Sequence, residues 1–155
     1  MKKKKRVFLG GTCNGSTWRD KLIPKLKINY YNPVVNTGGW GEREQRNERL
    51  EKDSSNFLLY VITPLQKGFT SFVESVEMNW YLEKHQIIVL CVLKKDGGRR
   101  WTNHQRKSIE YVKRIVENNG GVVLNNLDEV AKYLNTSDGK PYKSPGYYAA
   151  EYGIL

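Results

Sequence analysis

The stretch "LYVITPLQKGFTSFVESVEM", residues 59–78, decides the fold of this chain. Its continuous apolar run stops at Pro64, a short polar loop with Gly68 follows, and a helical pattern then begins with Glu74 in its first turn. A continuous apolar run bounded by a turn is typical of a strand that is buried on both faces. The stretch therefore predicts a central strand, a loop at its carboxyl end and a helix that returns across the sheet.

The same alternation of strand and helix runs through the whole chain. Strands alternating with helices indicate βαβ units and a parallel sheet. We therefore predict an α/β fold with a single doubly wound five-stranded parallel sheet in flavodoxin-like or Rossmann-like order. The predicted strands are 6–11, 28–31, 57–63, 86–93 and 121–124, and the predicted helices are 17–26, 42–55, 71–85, 104–119 and 127–134.

Two helix ends carry recognisable sequence signals. Ser16 or Thr17 is predicted to cap the first helix, with Asp20 as the acidic partner in a capping box from Thr17. The pair Gly120–Gly121 is predicted to end the helix at 104–119.

Length and composition predict one soluble domain that spans residues 1–155, with a basic tail (1–5) and an aromatic C-terminal tail (136–155). The chain has 39% hydrophobic residues and no apolar stretch near the roughly 20 residues that a membrane helix needs. Only "VFL" follows the initial "MKKKKR", so no signal peptide is indicated and we expect a cytoplasmic protein without membrane contact. The two cysteines and two histidines lack a ligand-like spacing, so we expect no metal and no cofactor.

The formal net charge of +10 is compatible with a phosphorylated ligand, with nucleic acid, or with a basic solvated surface. The basic residues are scattered along helices among glutamates, as in "SIEYVKRIVENN", which is typical of solvent faces. A nucleic-acid binder is supported by charge alone, and the sequence shows no aromatic and basic stripe for one.

The predicted fold brings three loops to one edge of the sheet, because ligands of such sheets bind beyond the carboxyl ends of the strands at the switch point. These loops are residues 10–16, 32–40 and 64–71. The residues just before Glu74 are small and polar, so a ligand could approach closely there. The candidate ligand contacts are Gly11, Thr12, Asn14, Ser16, Asn32, Trp40, Gly68, Thr70 and Ser71.

Three segments at these loops carry a family resemblance: "VFLGGTCNGSTWRDKLIP" (7–24), "YYNPVV" (30–35) and "LYVITPLQKGFTSFVESVE" (59–77). In this order and spacing, the set resembles the nucleoside 2-deoxyribosyltransferase superfamily over about residues 6–95. The likeness is to its shorter transferase-like branch, which is related to the deoxynucleotide N-glycosidases.

The resemblance implies cleavage of the N-glycosidic bond of a deoxynucleoside or deoxynucleoside 5′-monophosphate, with Glu74 as the nucleophile. A free base or water then takes the sugar from a covalent glycosyl-enzyme. The transferases have an aspartate about six residues before the nucleophile, where this chain has Gly68. Glu48 or Asp53 could substitute for it, and glycine in place of an acidic residue in a basic chain mildly favours a phosphorylated substrate. The hydrolase branch of the superfamily recognises a 5′-phosphate with loop hydroxyls and backbone amides, so the resemblance implies similar contacts here from Thr12, Asn14, Ser16, Thr70 and Ser71. Trp40 is the candidate for stacking on the base.

Other interpretations remain open at this point. The same site could hold a nucleotide-derived signal without turnover, or a ligand like nicotinamide adenine dinucleotide, as in the architecturally related Toll/interleukin-receptor-like domains. The aromatic tail and exposed-looking tryptophans favour a homodimer or a larger homo-oligomer. The sequence does not distinguish the base, the sugar from its phosphate, or hydrolysis from transfer.

Overall fold

The structure, a computed structural model, describes residues 4–34, 41–69, 72–73 and 86–140. These residues form seven strands and four α-helices, and a 3₁₀ turn over Ile23–Lys25 continues the first helix. In chain order the elements are β1 (Arg6–Gly11), α1 (Trp18–Leu22), β2 (Asn29–Tyr31), α2 (Glu42–Ser54), β3 (Phe57–Ile62), β4 (Ile87–Val92), β5 (Lys95–Asp96), β6 (Arg99–Arg100), α3 (Asn103–Asn118), β7 (Val122–Leu124) and α4 (Leu127–Thr136).

Five of the strands form one parallel sheet in the order β2-β1-β3-β4-β7. The chain moves outward from β1 to β2, crosses back to β3 and then continues in the opposite direction. The prediction of a doubly wound, flavodoxin-like sheet is confirmed. The switch point lies between β1 and β3, which places the ligand-binding edge at the carboxyl ends of these two strands.

Both faces of the sheet are covered, which explains the continuous apolar strands. All six residues of β3 and all six of β4 are buried. Alternate side chains point to opposite faces: Leu59 packs in a cluster with α1 and α4, and Leu58 in a second cluster with α3. Trp18, only 2% exposed, anchors α1 in the first of these clusters.

The helix ends show one confirmed signal and one wrong prediction. Gly120 has a φ of +86°. The amides of Gly120 and Gly121 donate to the carbonyls of Glu117 and Val116, which is the predicted glycine cap. The capping box from Thr17 is wrong, because Thr17 makes no side-chain cap bond. Its backbone (φ −101°, ψ 14°) lacks the extended conformation from which a capping side chain reaches the helix amides.

The hairpin formed by β5 and β6 was not predicted. Gly97 and Gly98 have φ values of +54° and +77°, and such a pair of positive values is what a tight type I′ hairpin turn requires. The sequence signal was present as "DGG" in residues 96–98.

Several predicted features lie outside the described residues: most of the helix at 71–85, most of the loop at 32–40 and the aromatic tail beyond 140. Where the chain is described, no helix is long and apolar enough to cross a membrane. Within the same ranges, no three His, Cys, Asp or Glu side chains come together as metal ligands would.

Candidate functional site

The end of β1 passes unusually close to β3, and glycine makes this approach possible. Gly11 has a φ of +120°, and a Cβ atom there would lie 2.1 Å from the carbonyl oxygen of Val61. No L side chain fits that geometry without moving backbone. The chain therefore leaves the sheet at Gly11 and turns across the end of β3 as the β1 loop, defined here as residues 11–16.

Thr12 joins the β1 loop to the segment after β3. Its amide donates to the carbonyl of Val61 at 2.9 Å, and its Oγ1 accepts from the amide of Thr63 at 3.0 Å. The hydroxyl also lies 3.5 Å from the Gln66 side-chain oxygen. Because Thr12 is only 2% exposed, these internal contacts fix the two loops relative to each other.

Arg19 on α1 supplies the partners that the sheet leaves missing at the end of β1. β2 pairs with β1 only as far as Phe8, so the later β1 carbonyls have no β2 neighbour. Arg19 Nε donates to the Leu9 carbonyl at 3.1 Å, and its two terminal nitrogens donate to those of Thr12 and Gly11 at 2.8 and 3.4 Å. These charge-assisted hydrogen bonds from α1 fix the position of the β1 loop.

The Arg19 guanidinium is deeply placed, with 5% of the residue exposed and the ring of Trp18 at 4.3 Å. In the described part of the chain its acceptors are carbonyl oxygens and, more weakly, Cys13 Sγ at 4.0 Å. Burial lowers the pKa of the Arg19 guanidinium, and the neighbouring Cys13 partly opposes this shift. The site thus contains a buried cation that is compensated by carbonyl dipoles.

The outer part of the β1 loop is polar and exposed. Asn14 and Gly15 both have left-handed backbone, with φ values of +38° and +79°. The Asn14 amide group donates to the Leu65 carbonyl at 3.4 Å, and the Ser16 hydroxyl donates to Asp96 Oδ2 at 2.5 Å. The hydroxyl of Ser16 is therefore directed toward the β5–β6 hairpin and makes no cap on α1.

An open cleft of about 430 Å³ lies between the β1 loop and the end of β2. The structure brings three of the predicted contacts into it, Asn14, Ser16 and Asn32. In Asn32, the side-chain oxygen accepts from the amide of Val34 at 3.1 Å, which leaves its amide donors for other partners. The full set of lining residues is Cys13, Asn14, Gly15, Ser16, Arg19, Asp20, Asn32 and Val34.

Gly68 lies in the exposed segment after β3, beside a second cavity of about 360 Å³. A Cβ atom at Gly68 would meet no heavy atom of the described residues within 4 Å, and its backbone is outside the left-handed region. Nothing in the described part of the chain therefore requires glycine at this position. The cavity also contains Phe72 and Trp101, whose ring centroids are 6.4 Å apart, and His104 at the start of α3.

Glu48 and Asp53 are not brought into the cleft. The carboxylate of Glu48 forms an ion pair with Lys52 at 2.9 Å on α2, beside the end of β2. Burial, with Glu51 and Glu48 nearby, raises the pKa of Tyr31. Asp53 lies in the last turn of α2, which ends at the amino edge of the sheet, opposite the cleft.

Four predicted site residues lie outside the described residues: Trp40, Thr70, Ser71 and Glu74. The structure in turn shows three side chains at this edge that the sequence interpretation missed, Arg19, Asp96 and Trp101. Arg19 looked like an exposed basic residue of a helix, and no sequence signal marks its role. Asp96 could have been found from the "DGG" turn that follows β4.

The comparisons with known proteins identify the family. The family model described as "Nucleoside 2-deoxyribosyltransferase like" matches residues 4–95, a range that includes the β1 loop, Gly68 and Glu74. No curated protein and no solved structure matched the chain. Since the family model covers more than half of the sequence, the chain belongs to the nucleoside 2-deoxyribosyltransferase-like family.

Proposed function

We propose that this protein cleaves the N-glycosidic bond of a deoxynucleoside or a deoxynucleoside 5′-monophosphate. The observation that carries this proposal is the family match over residues 4–95, because that range contains both the β1 loop and the segment with Glu74. The cleft between the β1 loop and the end of β2 supports it, since it lies at the carboxyl edge of the sheet, next to the switch point, where ligands of doubly wound sheets bind.

In the proposed mechanism a Glu74 carboxylate oxygen attacks C1′ of the sugar. The bond from C1′ to the base nitrogen breaks, its electron pair leaves with the base, and the base takes up a proton from solvent. Water or a second base then attacks C1′, gives up a proton to solvent and releases the Glu74 carboxylate. A carboxylate near a helix start is kept ionised by the positive end of the helix dipole, as a nucleophile must be.

The roles of the other site residues are proposed from their positions in the fold and in the sequence. Asn14 and Asn32 offer side-chain amide groups in the cleft, suited to sugar or base oxygens. Arg19 and Thr12 hold the β1 loop from inside. We expect Trp40 to stack on the base, and Thr70 and Ser71 to contact the substrate beside Glu74. The site is proposed to work without a cofactor and within a homo-oligomer.

A second candidate function is a nucleotide-binding module without turnover, with a nucleotide-derived signal or a dinucleotide as ligand. Gly68 favours it. The backbone there is ordinary and no described residue comes within 4 Å of a Cβ atom, so the described part of the fold would accept the carboxylate that the transferases carry at this position. We therefore attribute the glycine to altered chemistry at the site.

A substrate screen tests both candidates. The protein is incubated with each deoxynucleoside and each 5′-monophosphate, with and without a second free base, and the products are separated by chromatography. Released base supports cleavage, and a new nucleoside in the presence of the second base identifies transfer. If no substrate releases base while a nucleotide raises the melting temperature, the binding module replaces the enzyme.

A further inference from the structure

We propose that Asp96 is a specificity-determining residue of this site. By holding the proton of Ser16, its carboxylate disfavours a phosphate group at the β1 loop, so the site prefers a deoxynucleoside to its 5′-monophosphate. This inference rests on the proposed function, because it concerns the ligand of the same cleft. It also reverses the weak preference for a phosphorylated substrate that the sequence indicated.

The β5–β6 hairpin places Asp96 against the β1 loop. Asp96 Oδ2 accepts from the Ser16 hydroxyl at 2.5 Å, and the two residues come from opposite sides of β3 in the sheet order. The turn also contacts the segment after β3, since a Cβ at Gly97 would lie 3.3 Å from a methyl carbon of Leu65. The hairpin therefore extends from the end of β4 across the end of β3 to Ser16, which is itself one of the residues that line the cleft.

The hydrogen-bond chemistry at Ser16 follows from this contact. A serine hydroxyl has one proton to donate. When a short hydrogen bond gives that proton to a carboxylate, the proton is no longer available to a ligand. Toward a ligand, Ser16 then presents lone pairs, and Asp96 is an acceptor as well. A sugar hydroxyl can donate to these oxygens. A phosphate oxygen meets acceptors and a like charge, which opposes its binding.

The neighbouring positive charges do not cancel this preference. Arg19 lines the cleft, but its guanidinium is committed to three carbonyl groups. Lys95, Arg99 and Arg100 lie on the same hairpin and are exposed, whereas Asp96 is partly buried. Solvent and salt screen exposed charges more strongly than partly buried ones. The lysine and the two arginines attract anions to this part of the surface. Asp96 acts more locally, because its carboxylate is hydrogen-bonded directly to Ser16.

Titration calorimetry with each deoxynucleoside and its 5′-monophosphate tests the proposal. Each protein is measured as the full chain, also in the Glu74→Gln background so that turnover does not disturb the binding heats. Asp96→Asn removes the charge but keeps an oxygen that accepts from Ser16. Asp138→Asn is the matched control, because Asp138 is an exposed carboxylate at the amino edge of the sheet, away from the cleft, and asparagine keeps the oxygen that accepts from the Lys140 amide.

We expect the wild type to bind a deoxynucleoside at least about tenfold more tightly than the 5′-monophosphate, a difference of about 1.4 kcal/mol. Asp96→Asn should abolish that preference, mainly by tightening the monophosphate, and the control should change it less than about threefold. A melting scan of each variant separates loss of binding from loss of folding.

Three results would overturn the proposal: equal or tighter binding of the monophosphate by the wild type, an unchanged preference in Asp96→Asn, or no binding of either ligand by a folded wild type. Because binding is measured apart from turnover, the two proposals fail separately. A protein that shows this preference but releases no base contradicts the proposed enzyme and not the role of Asp96.

Discussion

The replacement of Arg19 by methionine examines how the β1 loop is held. Methionine keeps much of the length and volume of the side chain but removes every donor. The carbonyl of Thr12 keeps a partner, since the indole Nε1 of Trp18 donates to it at 2.8 Å. The carbonyls of Leu9 and Gly11 lose the guanidinium, and β2 does not extend far enough to replace it; among the described residues, Gly11 keeps only the weak bond from the Cys13 thiol at 3.8 Å.

The expected cost follows from these two carbonyls. A buried acceptor left without a partner costs about 1–3 kcal/mol, and the 3.4 Å bond to Gly11 belongs at the lower end of that range. Removing a buried charge returns part of the desolvation cost. We therefore expect Arg19→Met to lower the free energy of unfolding by about 2–4 kcal/mol, a large part of the total stability of a small domain.

Urea denaturation followed by far-ultraviolet circular dichroism measures this free energy. Lys21→Met is the matched control, because Lys21 is exposed on the same helix, and it should change stability by less than about 0.5 kcal/mol. Arg19→Lys keeps a charge but not the planar fork of donors, so an intermediate loss is expected. If Arg19→Met unfolds at the same free energy as the control, the guanidinium does not hold the loop.

The other predictions concern backbone geometry and the two thiols. Gly11→Ala should destabilise the protein by about 3 kcal/mol or more, because its Cβ meets the Val61 carbonyl. Gly68→Ala should be nearly neutral, because its Cβ meets no atom of the described residues within 4 Å, and thermal denaturation compares the two variants. Cys13 is exposed and Cys91 is buried, so a thiol reagent should label one cysteine in the native protein and two in denaturant; two rapidly labelled native thiols would contradict this. Burial raises the pKa of the Cys91 thiol from 9.0 to about 12, because it disfavours the charged thiolate. The neutral thiol therefore contributes to the stability of the fold in full below pH 9. This contribution should be lost as the pH rises from about 9 to about 12. Denaturant titrations of the wild type and Cys91→Ala should show a smaller pH dependence for the variant.

The parts of the fold that could be predicted from sequence are those where one physical effect acts alone. β3 and β4 are buried on both faces, so their apolar runs had no competing interpretation. The glycine cap at Gly120 depends only on local backbone conformation. The order of the sheet then followed from the alternation of elements and the general rules for parallel crossovers.

The site was less predictable, because its contacts join distant parts of the chain. Arg19 acquires its role only because β2 stops short beside β1, which the sequence of α1 does not encode. The expectation that Ser16 or Thr17 caps α1 considered local partners alone, whereas the hydroxyl of Ser16 bonds to Asp96, 80 residues away. The role of Glu74 comes from the family resemblance and stays a prediction.

The proposed function depends most directly on the reaction of Glu74 with the sugar. Glu74→Gln keeps nearly the same shape but removes the negative charge that attack on C1′ requires. Glu77→Gln, a conservative change one helical turn further along the predicted helix, is the control. Both variants should remain folded by circular dichroism.

The most direct measurement compares the rate of base release by the wild type, Glu74→Gln and Glu77→Gln on the best substrate of the screen. We expect Glu74→Gln to lose several powers of ten in rate, each about 1.4 kcal/mol of barrier, and Glu77→Gln to lose much less. We also expect a glycosyl adduct on Glu74 when the wild-type reaction is quenched and its peptides are weighed by mass spectrometry. Release of base by Glu74→Gln at a rate comparable to that of the wild type would contradict the claim.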